Sequence, residues 1–390
     1  MKDPKTKIQN TIIRKLENTW VIWFFQSKSF VLFEEPANDV FRLYSEGVDF
    51  DKIVTFCETK YGHLEENISQ FVEEIIHEID HFNNPENKVS IAINPPEEIT
   101  EPKFSSSQIT SYKIGRKTIS VAYQNEHLKF AIHPVIAHLE DKQLQSVDNK
   151  IGVFEKDGIL YFTHKGKIIE AFLKEDIQYF SGCVKQLMFS ILYERDYSDW
   201  MMALHASGVS RNGQAVVFSA AAGSGKSTIS ALLKAKAYNF LSDDFITADE
   251  KGNVYSFPAA ISVKDGSVEA LSEFSPELKE ISTQETFIGK IVRYLSVENL
   301  SGNYESGFPV KAFVFVNYDK QSESIIEEVT KKEALQHLLK ETWVKPEPEN
   351  IERFFDWIEN TNFYRLQYSD NQQAIDFVQK LFDPNLIYNH

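Results

Sequence analysis

Apolar residues in the first part of the chain follow a β-type spacing and then an α-type spacing. Runs of β-branched and aromatic residues with short polar breaks predict strands at 11–14, 20–25 and 30–33. Apolar residues then recur every three or four positions, which predicts helices over 37–44, 49–61 and 64–82. A strand at 28–33 left at the sheet edge would offer unpaired backbone groups to an extended peptide, with the 64–82 helix as a second wall.

The middle of the chain changes character twice. Residues 83–107 are rich in proline and acidic residues, and we interpret 88–107 as a linker. Short alternating patterns broken by Gly, Asn and Asp turns predict a β-rich segment over 108–200, which includes a strand at 127–133. An amphipathic helix over 177–193 ends this segment, which we expect to pack against the domain that follows.

The last part alternates between strand and helix patterns, which is typical of an α/β domain over 201–390. Strands are predicted at 215–218, 238–242, 253–263, 308–316 and 363–368. Helices are predicted after the first of these strands and at 331–339, 350–360 and 372–381.

A phosphate-binding P-loop is predicted between the 215–218 strand and the helix after it. Residues 220–227 read AAAGSGKS, so Ala220 stands where the usual pattern has glycine. Small residues allow phosphate to approach the backbone N–H groups at the N-terminus of a helix. Candidate nucleotide-binding residues are Ala222, Gly223, Ser224, Gly225, Lys226, Ser227 and Thr228. Lys226 would reach the β- and γ-phosphates of ATP, and the Ser227 hydroxyl would bind Mg²⁺.

Two adjacent carboxylates, Asp243 and Asp244, follow the strand predicted at 238–242. Sites in parallel α/β sheets lie at the carboxyl ends of strands, so we expect this pair beside the phosphates. One carboxylate would bind Mg²⁺ while the other accepts a proton from an attacking hydroxyl. The sequence leaves open which of the two has which role.

His205 lies in the stretch LHASGV at 204–209, just before the P-loop strand. Together with AGSGKST and LSDD, this stretch resembles the HPr kinase/phosphorylase family and its looser relatives. The resemblance covers about 200–248 through specific motifs. It implies a P-loop kinase fold in which His205, Lys226, Asp243 and Asp244 surround the γ-phosphate and an acceptor serine, with Ser227, Asp243 and Asp244 near the metal.

One motif of the bifunctional family members is not found after the double Asp. These enzymes carry a Gly-rich signature with Glu and Arg there. It is therefore open whether this chain has phosphorylase activity and whether HPr is its substrate. The family forms homo-oligomers, and the resemblance leaves that open here as well.

The N-terminal pattern of strands and then three helices, with ANDVFRLYSEG at 37–47 and KYG at 60–62, resembles the PqqD-like winged-helix family. Members of that family recognise the leader segment of ribosomally made precursor peptides. The resemblance implies a peptide-recognition domain at 1–87 that would bind a leader through residues of about 11–82. A small helical cap that binds no peptide is the alternative.

Composition limits the classes of partner. The chain has 390 residues, of which 42% are hydrophobic and 13% aromatic, enough for about two or three cored domains. Its 57 acidic against 41 basic residues give a net charge of -16, which argues against nucleic acid or an anionic membrane as partner. Cys57 and Cys183 are far apart, so neither a disulfide framework nor a zinc site is expected. No signal-peptide or membrane-span pattern appears, so we expect a cytoplasmic protein.

Three function hypotheses therefore stand. The first is an ATP- and Mg²⁺-dependent kinase acting on a hydroxyl of a precursor peptide or small protein. The second is a nucleotide-binding regulator without phosphotransfer, and the third is a kinase for free serine. Three basic residues after the double Asp would complement phosphate or substrate charge in a kinase, although a solvated surface is their ordinary place: Lys264, Lys290 and Arg293.

Overall fold

A computed structural model describes residues 8, 10–62, 67–87, 92–95, 98–144, 147, 149–221, 223–286, 289–300 and 306–383. The helices in these ranges are α1 (Ala37–Ser45), α2 (Phe50–Tyr61), α3 (Ile68–Phe82), α4 (Glu126–Ile132), α5 (Ile177–Leu192), α6 (Lys226–Ala235), α7 (Asp265–Ser272), α8 (Lys331–Leu338), α9 (Pro348–Asn360) and α10 (Asn371–Phe382). The strands are β1 (Thr11–Leu16), β2 (Thr19–Phe24), β3 (Ser29–Phe33), β4 (Ala92–Ile93), β5 (Ile109–Ile114), β6 (Lys117–Tyr123), β7 (Asn149–Lys156), β8 (Ile159–His164), β9 (Lys167–Leu173), β10 (Met202–Leu204), β11 (Ser207–Arg211), β12 (Gln214–Ser219), β13 (Asn239–Ser242), β14 (Ile246–Ala248), β15 (Ile261–Lys264), β16 (Gln284–Glu285), β17 (Ile291–Leu295), β18 (Val310–Tyr318), β19 (Ile325–Glu328), β20 (Thr342–Val344) and β21 (Phe363–Tyr368).

The chain divides into two compact units whose boundaries differ from the predicted domains. The first unit combines Met1–Ser90 with Lys331–Leu339 and Lys345–Glu359, and the second holds the rest. The helices α8 and α9, which the sequence placed in the 201–390 domain, therefore belong to the N-terminal unit. The 108–200 and 201–390 segments share the second unit, so the strand and helix patterns identified the elements but not their partners.

In the first unit, β1, β2 and β3 form an antiparallel sheet with β3 at one edge. This confirms the predicted strands and the edge position of the third. One face of the sheet packs on α1 and α3, where Phe24 meets Phe41. On α9, Phe354 and Phe355 contact Phe30 of β3. The helix predicted at 64–82 begins at Ile68 in the structure, and residues 63–66 lie outside the described residues.

Part of the predicted linker belongs to a sheet of the second unit. That sheet has the strand order β4-β9-β8-β7-β6-β5, and Ala92 and Ile93 of β4 pair with Phe172 and Ala171. Thr163 also donates a hydrogen bond to Glu101. The linker interpretation of 88–107 is therefore wrong for these residues. The short apolar positions between the prolines are enough to cover the sheet edge.

The prediction of a strand at 127–133 is wrong, because residues 127–132 lie in helix α4. The Asn125 side chain caps this helix by accepting a hydrogen bond from the Leu128 backbone N–H at 2.9 Å. Leu128 and Ile132, four residues apart, are buried on one face, while Phe130 is 40% exposed. The capping asparagine was the available signal for a helix.

Strand β12, which precedes the predicted P-loop, lies inside a mixed six-stranded sheet of the second unit with the order β13-β11-β12-β18-β21-β19. Strand β12 pairs in parallel with β18 and antiparallel with β11. Helices α6 and α10 pack with this sheet in one apolar core. The sequence analysis assumed a parallel sheet, but the observed sheet is mixed.

The strand predicted at 253–263 is only partly correct. Strand β15 covers Ile261–Lys264, whereas Val254 forms isolated bridges with Ala248 and Phe308. Pro258 lies between them and cannot donate to a ladder, which explains the interruption.

Among the described residues, no helix combines the length and the apolar character that crossing a membrane requires.

Candidate active site

The predicted P-loop joins β12 to α6. Gly223 and Gly225 both adopt φ of 97°, a left-handed conformation that glycine takes without steric cost. A Cβ at Gly225 would lie 2.6 Å from the Tyr368 hydroxyl, so this position also lacks room for a side chain. Ala220 is not among the residues with positive φ, so alanine is tolerated there. Ala222, a predicted nucleotide-binding residue, lies outside the described residues.

The remaining predicted loop residues make ordinary local contacts. The Ser224 carbonyl accepts a hydrogen bond from the Tyr318 backbone N–H at 3.0 Å, which ties the loop to the end of β18. The Thr228 hydroxyl donates to Ser267 Oγ on α7 at 3.0 Å. These contacts hold the loop and the start of α6 in place.

Strand register brings the three predicted motifs to one edge of the sheet. In β11, Gly208 pairs with Val217 of β12 on one side and with Ser242 of β13 on the other. The carboxyl ends of β12 and β13 therefore lie on either side of the start of β11, which His205 shortly precedes. This places the P-loop, the double Asp and His205 together, although β11 is antiparallel to its neighbours.

Asp243 is a buried carboxylate, only 3% exposed, that contacts the P-loop helix. Ser227 Oγ donates to its Oδ1 at 3.0 Å, and the Ser262 backbone N–H donates to its Oδ2 at 3.1 Å. Burial, and then the neighbouring charge of Asp244, raises the pKa of Asp243 to about 6. At neutral pH the ionised form of Asp243 therefore lowers the stability of the folded protein.

We expect Asp243→Asn to stabilise the metal-free protein at neutral pH. The Asp243 pKa rises from 3.8 in an ordinary environment to about 6 in the fold, so the folded state binds the proton more tightly. Unfolding free energy is therefore lost as pH rises from about 4 to about 6. The asparagine does not titrate, so its advantage should grow over that range to on the order of 2–3 kcal/mol at pH 7.5. Urea unfolding in EDTA buffer at several pH values measures this.

Asparagine keeps the local hydrogen bonds in this variant, because Nδ2 can donate to Ser227 Oγ while Oδ1 accepts from Ser262. The exposed Asp157, changed to Asn, is the control and should show no such trend. A stability difference between Asp243→Asn and wild type that stays flat between pH 4 and pH 7.5 would contradict the expectation.

Asp244 faces a different set of partners. Its Oδ1 lies 2.7 Å from Lys226 Nζ and 3.4 Å from His205 Nε2. Burial alone would raise the pKa of Asp244, but the charge of Lys226 and the contacts with His205 outweigh it and hold this pKa well below the ordinary value. The residue has φ of 63°, which turns its side chain toward the same site as that of Asp243.

His205 is held between two carboxylates. Its Nδ1 lies 2.7 Å from Glu341 Oε2, and its backbone N–H donates to the Glu341 carbonyl at 2.8 Å. Strands β10 and β20 pair antiparallel, with Leu204 opposite Thr342, so the next pair along is His205 and Glu341. A carboxylate at Nδ1 fixes the orientation of the ring and leaves Nε2 directed at Asp244.

The three basic residues singled out after the double Asp have different surroundings. Lys264 Nζ lies 3.5 Å from the position of a Cβ built on Gly223, at the mouth of the P-loop. Lys290 is exposed and its charge acts on Lys264. Arg293 pairs with Asp265 at 3.4 Å and donates to the Ile281 carbonyl. Lys264 is therefore the one of the three in contact distance of the loop.

Two groups that contact site residues were not identified from the sequence, Glu341 and the Ser262 backbone N–H, and neither was Lys185, on which the charges of Asp244 and Lys226 act. Glu341 is 136 residues from His205, and no spacing rule connects the two. Lys185 had a weak signal, because it is the one charged residue in the 16-residue helix α5. Burial lowers the pKa of Lys185, and the nearby charges of Asp244 and Lys226 act on it in opposite directions.

The donor set fits Mg²⁺ bound together with phosphate. No group of three or more His, Cys, Asp or Glu side chains in the described ranges is placed to hold a metal ion by itself. Mg²⁺ in nucleotide sites is typically held by one or two protein oxygens, substrate phosphates and water. Ser227 Oγ and Asp243, which already contact each other, are such a pair.

A scan against models of known protein families gives no match to this chain. A search of curated proteins likewise gives no match.

Proposed function

We propose that this chain is an ATP-dependent kinase that transfers the γ-phosphoryl group to a hydroxyl, with a serine of a precursor peptide or small protein as the acceptor. The observation that carries the proposal is that two adjacent carboxylates contact different groups. Asp243 contacts Ser227 of the P-loop, whereas Asp244 contacts Lys226 and His205. A site that only holds a nucleotide has no need for the second set of contacts.

The phosphates would bind at the N-terminus of α6. Backbone N–H groups around Gly223 and Gly225 supply donors there, and the helix dipole favours negative charge. Lys226 Nζ would exchange part of its contact with Asp244 for the β- and γ-phosphates. Lys264 adds a second ammonium at the mouth of the loop.

Asp243 and Ser227 would hold Mg²⁺. When bound, this ion neutralises charge on the β- and γ-phosphates. The hydrogen bond from the Ser262 backbone N–H keeps the Asp243 carboxylate directed at Ser227. This assigns the metal role to the first of the two aspartates.

Asp244 would be the general base. In the transfer step, the acceptor oxygen forms a bond to the γ-phosphorus, the bond to the ADP oxygen breaks, and the hydroxyl proton passes to Asp244. His205 Nε2 contacts the same carboxylate, and Glu341 holds the ring in that orientation. His205 would thus orient the Asp244 carboxylate. The proton that Asp244 takes up would be shared with His205 Nε2.

The edge strand β3 supports a peptide acceptor over free serine. In the described part of the chain, β3 pairs with β2 alone, so its other edge can accept a leader segment as an added strand. Binding the leader would raise the effective concentration of the acceptor residue. A peptide kinase, a free-serine kinase and a nucleotide-binding regulator would each give a different result in one experiment.

That experiment is mass spectrometry of short peptides encoded beside this gene, after incubation with Mg-ATP and the full-length protein. The same reactions are run with an HPr-like protein and with free serine. We expect a peptide to gain a phosphate with the wild type and not with Lys226→Met. Fragmentation of the product identifies the acceptor residue.

Phosphate on free serine alone would replace the peptide proposal with the small-molecule kinase. ATP binding without phosphorylation of any of these acceptors would overturn the kinase proposal and favour the regulator.

A further inference from the structure

Helix α5 carries a lysine that its packing does not explain. The helix reads IQYFSGCVKQLMFSIL, and its last turns are almost entirely buried in the core of the second unit. Lys185 lies among the buried residues Val184, Gln186 and Leu187 and is itself half-buried. A charged side chain in this position costs free energy unless an anion accompanies it.

The lysine reaches the turn that carries the double Asp. Lys185 Nζ lies 5.8 Å from the ring centre of Phe245, the residue directly after Asp244. Gly182, three residues earlier on the helix, faces the same ring, because a Cβ built there would be 3.9 Å from Phe245 Cε2. The surface of α5 therefore runs alongside this turn.

The Lys185 ammonium has no direct anionic partner among the described residues. Within the described ranges, Lys185 takes part in no hydrogen bond or ion pair, whereas Lys226 is paired with Asp244. The charges that act most strongly on Lys185 are those of Asp244, Lys226 and Asp243. A partly desolvated ammonium beside the turn that carries the double Asp, with no direct anionic partner in the described ranges, is complementary to an anionic ligand group.

We propose that Lys185 binds the terminal phosphoryl group of the nucleotide, together with Lys226. This inference rests on the proposed function and adds a phosphate ligand from α5, outside the P-loop and its helix. In phosphoryl transfer the charge is spread over the oxygens of the transferred group, and a cation supplied from a separate element stabilises it. The β-rich segment would therefore contribute directly to the site.

Calorimetric titration of the full-length protein with Mg-ADP and with Mg-AMP-PNP, which retains a γ-phosphoryl group, tests the inference. We expect Lys185→Gln to weaken AMP-PNP binding roughly tenfold and ADP binding less than about twofold. Lys185→Arg should stay within about threefold of wild type for both, because it keeps the cation. The exposed Lys167, changed to Gln, is the control and should leave both affinities unchanged.

Each other outcome has a clear meaning. Unchanged affinities in Lys185→Gln, or equal losses for both nucleotides, would overturn the role of Lys185 and leave the proposed function standing. A wild type that binds neither nucleotide would overturn both. Circular dichroism checks folding, and Lys185→Met serves as a second variant that keeps the apolar stem over Phe245. If neither variant folds, Lys185 is structural and the inference is wrong.

Discussion

Asp244→Asn is expected to remove phosphotransfer while leaving nucleotide binding intact. Loss of a general base lowers turnover by about 10²–10⁴-fold. Asparagine has nearly the same volume and also tolerates the φ of 63° at this position, so the backbone turn is kept. Lys226 loses its 2.7 Å ion pair and becomes free for phosphate, so ATP affinity should stay equal or increase. Initial rates and calorimetric titration measure the two effects separately.

Asp157→Asn is a matched control for this variant. Asp157 is also an aspartate with positive φ, at 54°, but it lies in the exposed turn between β7 and β8. It should change neither turnover nor ATP affinity. Turnover retained within about threefold in Asp244→Asn would eliminate Asp244 as the base.

The two aspartates should also differ in stability. The pKa of Asp244 is lowered in the fold, so its charge stabilises the folded state above the ordinary aspartate pKa, and this contribution is lost as pH falls. Asp244→Asn should therefore lower the unfolding free energy at pH 7.5, whereas Asp243→Asn raises it. Opposite signs for neighbouring carboxylates would be a direct consequence of their different partners.

Lys226→Met is expected to weaken ATP binding roughly a hundredfold, since it removes the ammonium and keeps the apolar stem. Two effects add in this variant. The phosphates lose their main cation, and Asp244 keeps a negative charge without its 2.7 Å ion pair to Lys226. The Lys226 side chain is 9% exposed, so bulk solvent cannot substitute for it. Calorimetric titration with Mg-ATP gives the affinity.

The double variant Lys226→Met, Asp244→Asn separates these two effects. Removing Asp244 as well should recover part of the lost affinity, because the repulsion of the phosphates is gone. Lys234→Met, on the same helix, is the control and should bind ATP as the wild type does. An ATP affinity in Lys226→Met within about threefold of wild type would mean that nucleotide does not bind at this loop.

The sequence alone determined the elements that depend on neighbouring residues. The loop at 220–227, the strand before it and the helix after it follow from small residues, an apolar run and helix formers within a short window. Both glycines predicted to allow close phosphate approach have the left-handed φ that only glycine adopts easily. Most strands and helices were also found, because apolar spacing is a local property. Helix α4 is the one element that was predicted as the opposite type, a strand. That prediction used the apolar spacing and did not take the capping Asn125 into account.

Other features depend on pairing over long distances in the chain, which local spacing cannot encode. Helices α8 and α9 join the N-terminal unit, and Ala92 and Ile93 extend a sheet, because their apolar faces find partners far away in sequence. The two helices could be predicted as elements, but neither their neighbours nor the strand at Ala92–Ile93 could be.

In the site, the sequence identified His205, Lys226, Ser227 and both aspartates as residue types suited to phosphate chemistry. Only the tertiary structure separated the two aspartates, through the positive φ of Asp244 and the hydrogen bond from Ser262 to Asp243. Only the pairing of β10 with β20 placed Glu341 against His205. Residue type sets what a side chain can do, whereas register and backbone direction decide which partner it meets.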